Sequence, residues 1–121
     1  MAESHNLGQK GEELAVEHLK KSGYRIIERN WRAGKLEVDI IAENKDFIVF
    51  CEVKTRSDDF QMHPVTAVNR EKQRSLVLCA DTYIKRYNIT KECRFDVITI
   101  ITGSDSFKID HIEDAFYPTL R

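Results

Sequence analysis

Phe47-Ile48-Val49-Phe50-Cys51 is the longest uncharged apolar stretch in the chain, and it runs directly into Glu52-Val53-Lys54. A segment that is apolar at successive positions suits a strand buried on both faces, and a sheet containing one needs cover on both sides. Helical patterns flank it in sequence. One runs from a cap at Ser4 or Asn6 to about Ser22 and is ended by Gly23; the other is opened by Pro64 and reaches about Tyr87. Strands are predicted at Tyr24–Arg29, Leu36–Ala42, Phe47–Lys54, Arg94–Thr102 and Ser106–Ile112. Asn30–Lys35, which holds Trp31 and Gly34, reads as a loop, Glu43–Asp46 as a turn, and Thr55–His63 as a second loop. The expected fold is α/β, one domain over residues 1–121, with a mixed sheet of about five strands flanked by two main helices.

A chain of 121 residues with 41% hydrophobic positions can build its own core. The apolar run is far shorter than the ~20 residues of a membrane span. Met1–Lys10 is polar, unlike a signal peptide, so a cytoplasmic protein with no membrane partner is expected. Cys51, Cys79 and Cys93 are odd in number and widely spaced, which suits buried free thiols rather than a disulfide framework or a zinc finger. His5, His18, His63 and His111 form no close pair in sequence, and no phosphate-binding glycine loop is present. The net charge of -1 argues against a cationic coat, but the charge is unevenly spread. Lys20, Lys21, Arg25, Arg29, Arg32 and Lys35 crowd one segment, while Asp105, Asp110, Glu113 and Asp114 crowd another. Such a layout either presents a basic face to a polyanion or is ordinary solvated surface.

The acids near the apolar strand are the chemical anomaly. Alternation puts Leu36, Val38 and Ile40 on one face and Glu37, Asp39 and Ile41 on the other. A turn centred between Asn44 and Lys45 sets Glu37 opposite Glu52 and Asp39 opposite Phe50, so Glu37, Asp39, Glu52 and Lys54 share a face. Asp39 and Glu52 are then diagonal neighbours, roughly 7–8 Å apart at their backbones. An unpaired carboxylate there loses several kcal/mol of solvation, roughly, which a divalent cation can offset. Oxygen donors without His or Cys select Mg²⁺ or Mn²⁺. A salt-bridge network at the sheet edge is the alternative. On the first helix Glu12 points inward with Ala15, Val16 and Leu19, while Glu13 points to solvent. On the second, Lys72 interrupts the stripe Val65, Val68, Leu76, Cys79 and Tyr83, with Arg70 and Arg74 beside it.

Asp39, twelve residues, then Glu52-Val53-Lys54 resembles the PD-(D/E)xK nuclease signature. The chain more closely resembles the YraN-type family of small bacterial proteins with a restriction-endonuclease-like fold. The stretches that carry this are Gly8-Gln9-Lys10-Gly11-Glu12 with Ala15, Arg29-Asn30-Trp31, Glu37-Val38-Asp39-Ile40-Ile41 and Val49 to Arg56. Ala67-Val68 with Lys72, and Arg94-Phe95-Asp96-Val97, complete the set. In this core the family is similar to archaeal Holliday-junction resolvases.

The resemblance implies a metal-dependent endonuclease that hydrolyses phosphodiester bonds in structured or branched DNA. Asp39 and Glu52 are then the Mg²⁺ (or Mn²⁺) ligands, with the Val53 carbonyl as a further donor, Glu12 in an outer shell and Glu37 as a fourth acid. Lys54 orients the metal-bound water or stabilises the developing charge, and Lys72 contacts the cleaved strand or holds a carboxylate. Arg29, Arg32, Arg56, Arg70 and Arg74 neutralise backbone phosphates. The rival reading is a nucleic-acid-binding or adaptor module that keeps the fold without cutting. Apolar side chains at Phe107, Ile109, Ile112, Phe116 and Tyr117 suggest a homodimer.

Overall fold

The computed structural model describes residues 2–57 and 69–116, with side chains from Lys10 onward. The order is α1 (Ala2–Lys21), β1 (Arg25–Ala33), β2 (Leu36–Glu43), β3 (Phe47–Ser57), α2 (Arg70–Arg86), β4 (Glu92–Thr102) and β5 (Phe107–Ile112). The strands lie in one sheet in the order β1-β2-β3-β4-β5. The β1–β2, β2–β3 and β4–β5 pairs are antiparallel, whereas β3 and β4 are parallel and joined through α2. The expected α/β class, mixed five-stranded sheet and two flanking helices are all present.

The double cover demanded by the apolar run is met. On one face of the sheet, Val38, Ile41, Ile48, Phe50, Phe95 and Val97 pack with Leu76, Val77, Cys79, Ala80 and Tyr83 of α2. On the other, Ile40, Ala42, Val49, Cys51, Ile98 and Ile100 pack with Ala15, Val16 and Leu19 of α1. Each fully buried side chain of this size contributes roughly 2 kcal/mol. Cys51 and Cys79 are buried in these layers, Cys93 is half-buried, and all three are free.

Several boundaries differ from the sequence reading, each for a local reason. Helix α1 already begins at Ala2, so neither Ser4 nor Asn6 caps it. It stops where Gly23 takes a φ of 95° and the Tyr24 N–H returns to the Leu19 carbonyl. The segment read as a loop at Asn30 is strand: β1 continues through Trp31 to Ala33, and the turn holds only Gly34, at a φ of 62°, and Lys35. Strand β3 runs on to Ser57, because its parallel ladder with β4 extends from Phe47–Glu92 to Ser57–Thr102. Helix α2 begins at Arg70, capped by Asn69, whose side chain accepts from the Lys72 N–H. Pro64, Val65, Ala67 and Val68 lie outside the described residues. Among the residues suggested for a dimer, Phe116 stacks on Phe95, Ile109 and Ile112 are half-buried, and Tyr117 lies outside the described residues. Phe107 is 50% exposed.

A buried polar network pins α1 to the far side of the sheet. Asp96 on β4 is fully buried and takes two bonds from Arg94, one from the Asp114 N–H and a contact of 2.7 Å with His111 Nε2. His111 Nδ1 in turn lies 2.9 Å from His18 Nε2 of α1. Burial alone raises the Asp96 pKa, but the bonds from His111, Arg94 and Asp114 outweigh it and hold the carboxyl below its usual range.

Close approach of α1 to β3 depends on Gly11. A Cβ placed there meets Thr55 Oγ1 at 2.3 Å and Thr55 Cβ at 3.5 Å. Alanine gains about 1 kcal/mol of helix propensity over glycine, but a contact this short has to be relieved by turning Thr55 out of its rotamer or by moving the helix. Gly11→Ala is therefore expected to destabilise the fold by roughly 1–3 kcal/mol in urea unfolding. Adding Thr55→Ala removes the obstructing oxygen and restores most of the loss; a double variant as unstable as Gly11→Ala would refute this contact as the cause.

Candidate functional site

The site lies where β2 parts from β3. The turn between these strands is Lys45-Asp46, with the Asn44 N–H bonded to the Phe47 carbonyl. Asn44 Oδ1 also accepts from the N–H groups of Asp46 and Phe47. This places the turn one residue later than the sequence reading and shifts the pairing by two residues. Ile41 is opposite Phe50 and Ile40 opposite Cys51, so Asp39 stands level with Glu52 rather than with Phe50. Because the shift is even, Asp39 still shares a face with Glu52 and Lys54.

Beyond Ile40–Cys51 the backbone pairing ends, and Asp39 Oδ2 accepts the Val53 N–H at 2.9 Å. The expected alternation breaks at the same row. Val38 packs on the α2 side with Ile41, whereas Ile40 packs on the α1 side. In β1, Asn30 occupies the row between the pairs Arg29–Ile40 and Trp31–Val38, and its φ is 54°. Asparagine is one of the few residues that tolerates this backbone. Burial, chiefly, and the neighbouring Glu52 carboxylate push the Asp39 pKa up to about 7; Glu12 adds to the rise, while the Val53 N–H and Lys72 oppose it.

Glu52 follows Ile48 and Phe50 on the α2 face of β3 and is 3% exposed. Lys54 Nζ lies 3.3 Å and Lys72 Nζ 3.6 Å from its Oε2. Glu52 Oε1 is buried and has no hydrogen-bond partner among the described residues. Thus Asp39, Glu52, Lys54 and Lys72 are brought together from β2, β3 and α2. Val53 enters through its N–H.

The other predicted residues divide. Glu12 is inward as expected, with 18% of its side chain exposed against 65% for Glu13. Its Oε1 accepts from Asn30 Nδ2 at 3.0 Å and from Arg29 at 3.2 Å. Glu37 does not join the acids: it is paired with Arg32 at 3.2 Å, because the break at Asp39 separates the two rows. Arg29 and Arg32, expected to meet phosphates, are each paired with one of these carboxylates. Arg70 is exposed in the first turn of α2, Arg74 is exposed one turn later, and Arg56 is half-buried on β3 with Nη1 donating to the Thr55 carbonyl. Asn30 was matched in the sequence but given no role. The signal was an asparagine beside a tryptophan where a loop was expected.

The donor set tests what the site can hold. Among the described residues, no group of three or more His, Cys, Asp or Glu gathers into a metal cluster, which corrects the expected convergence of four acids. Two carboxylates remain, one whose pKa is pushed up to about 7 and one with an unmatched buried oxygen. Such oxygens fit a hard divalent cation that keeps part of its water and leans on a substrate phosphate.

The raised Asp39 pKa has a sign that can be measured. The folded protein binds a proton between about pH 4 and 7 that the unfolded chain does not, so stability falls as pH rises through that window. Asp39→Asn removes the dependence and keeps an acceptor for Val53. It is expected to exceed the parent by on the order of 2 kcal/mol at about pH 8, with the two converging near pH 4, in urea unfolding. Glu52→Gln strips two ammonium groups of their partner and shows no such gain. A less stable Asp39→Asn at about pH 8 would contradict the assignment.

Residues 11–100 match the family described as Uncharacterised protein family UPF0102. A UPF0102 protein of Bacteroides fragilis is 48% identical over 121 residues, covering 99% of this chain and 99% of that protein. One of Parabacteroides distasonis is 44% identical over 121 residues, covering 100% of both. One of Flavobacterium psychrophilum is 44% identical over 117 residues, covering 97% and 98%. A family match that takes in Gly11, Asp39, Glu52, Lys54 and Lys72, together with relatives alike from end to end, places this chain in the UPF0102 family.

Proposed function

We propose that this protein is a metal-dependent endonuclease that hydrolyses phosphodiester bonds in structured or branched DNA, on a restriction-endonuclease-like core. The observation that carries the reading is Glu52, a buried acid with one oxygen shared by two lysines and the other unmatched, level with a second acid whose pKa is pushed up to about 7. Buried side-chain polar atoms rarely go without a partner in native proteins, so an unmatched carboxylate oxygen points to a group that it can hold. The strand order, with the acids on β2 and β3 and α2 leading into parallel β4, supports the fold assignment.

Asp39 and Glu52 are the residues to hold Mg²⁺ or Mn²⁺, with the Val53 carbonyl as a further donor and Glu12, reached through Asn30 and Arg29, outside them. When bound, such a cation polarises the scissile phosphate and lowers the pKa of a coordinated water. Asp39 would hold the cation as the carboxylate, so affinity is expected to rise as pH rises through about 7. Lys54 stands 3.3 Å from Glu52 and neutralises charge building on the phosphate. Lys72, arriving from α2, holds Glu52 in place and offers a second positive charge to the strand. Arg56, Arg70 and Arg74 are the remaining basic residues proposed to contact the nucleic acid. A two-fold pair, with Phe107 of β5 at its contact, is the companion proposal for cutting two strands; sedimentation with and without DNA tests it.

One observation favours a second reading. Arg29 and Arg32 are tied to the protein's own acids and the net charge is -1, which reduces the charge available to hold a nucleic acid and suits an adaptor module that keeps the fold without cutting.

The deciding measurement is cleavage of branched, flapped and single-stranded DNA in Mg²⁺ or Mn²⁺. Lys54→Ala is expected to abolish cleavage while leaving binding in Ca²⁺ nearly intact. Calorimetry should show Mn²⁺ binding that is tighter at about pH 8 than at about pH 6 and is lost in Asp39→Ala. Binding of DNA with no cleavage under either metal would favour the non-cutting module.

A further inference from the structure

The β3–β4 ladder puts Glu52 opposite Val97 and Lys54 opposite Thr99. Paired residues share a face, as the opposed Phe50 and Phe95 do in the α2-side core. Thr99 is therefore the neighbour of Lys54 on the face that carries Glu52. It is 2% exposed, and its Oγ1 is buried without a hydrogen-bond partner among the described residues. On its other side β5 places Asp110 opposite it. Neither Lys54 nor Asp110 takes the hydroxyl, although each is adjacent in the sheet.

A buried hydroxyl with no partner loses its bonds to water and receives nothing in return, and β-branched valine would fill the same space at lower cost. Here the unmatched Thr99 oxygen and the unmatched Glu52 oxygen lie on adjoining rows of one face, with Lys54 sharing the row of Thr99 and the strand of Glu52. Two unmatched polar atoms thus adjoin Lys54, whose side chain is 27% exposed and opens this face to solvent.

We propose that Thr99 is a substrate-binding residue: its hydroxyl donates to the anionic phosphodiester oxygen that Lys54 neutralises. This rests on the proposed phosphodiester substrate and adds to it a neutral donor on a strand to which that reading assigned no residue. A hydroxyl beside an ammonium gives one oxygen two donors at fixed directions, which orients the phosphate where a lysine alone only attracts it.

The test uses the full chain and a labelled branched DNA in Ca²⁺, with affinity measured against salt and thermal stability measured alongside. Thr99→Val is expected to melt at or above the parent temperature, because it removes an unmatched polar atom. Its affinity should fall by about tenfold, as for a lost hydrogen bond to a charged group, with an unchanged salt slope because threonine carries no charge. Thr99→Ser keeps the donor and should bind within about twofold of the parent. Undiminished binding by Thr99→Val overturns the role of Thr99 and leaves the proposed site standing. A variant that fails to fold, or melts well below the parent, shows the hydroxyl to be structural and also overturns it. If the parent itself binds no DNA, the proposed substrate class falls, and this inference falls with it.

Discussion

One hydrogen bond organises the site: the Val53 N–H is received by the side chain of Asp39 where a backbone carbonyl of β2 would continue the sheet. Substituting a carboxylate for a ladder partner keeps the β3 amide satisfied while freeing β2 to turn. That turn lets Val38 enter the α2-side core, gives Asn30 its unusual backbone in the adjoining row, and points the Asn30 amide at Glu12. Strand and helix are thus coupled through a break in regularity. The dense apolar layers on both sides make the break tolerable, since they fix both strands above and below it.

The sheet holds two buried acidic sites and treats them oppositely. Asp96 receives Arg94 in two-pronged fashion, an amide and an imidazole, and its charge is held firmly. Asp39 and Glu52 sit close to each other, and burial pushes Asp39 toward the neutral form. Desolvation acts at both, so the difference comes from the partners supplied. A protein able to satisfy one buried acid this fully has the means to satisfy another. The incomplete pairing at Glu52 is therefore a property of that site and not of the fold.

Much of this was legible in the residues. The apolar run at Phe47 announced a doubly covered strand, and the period of the first helix separated Glu12 from Glu13 correctly. Lys72 stood out as a charge in an apolar stripe. What escaped was set by irregular backbone. Alternation assigned Ile40 and Val38 to one face because period two has no way to represent the break at Asp39. The two-residue error in register came from placing the turn by composition, whereas the Asn44 side chain decides it by capping two amides. Glu37 looked equivalent to Asp39 until the break separated them. Thr99 gave no signal at all, because a threonine in a strand is ordinary and only its missing partner marks it.

The parallel pairing of β3 with β4 has a bearing on how the chain assembles. Strands β1, β2 and β3 form an up-and-down ribbon closed by short turns, while β4 returns only after α2 has crossed the sheet. Closing a long loop costs more entropy than closing a tight turn, so contacts of high sequence separation are made against the greater resistance. Asp39, Glu52 and Lys54 all belong to the ribbon, whereas Lys72 and Thr99 arrive with the crossover. Until α2 and β4 are seated the α2-side face of the ribbon is open to water, in which the repulsion between the acids is weak. The cost of burying them falls on the step that seats α2 and β4, which ties the energetic penalty of the site to the closing of the domain.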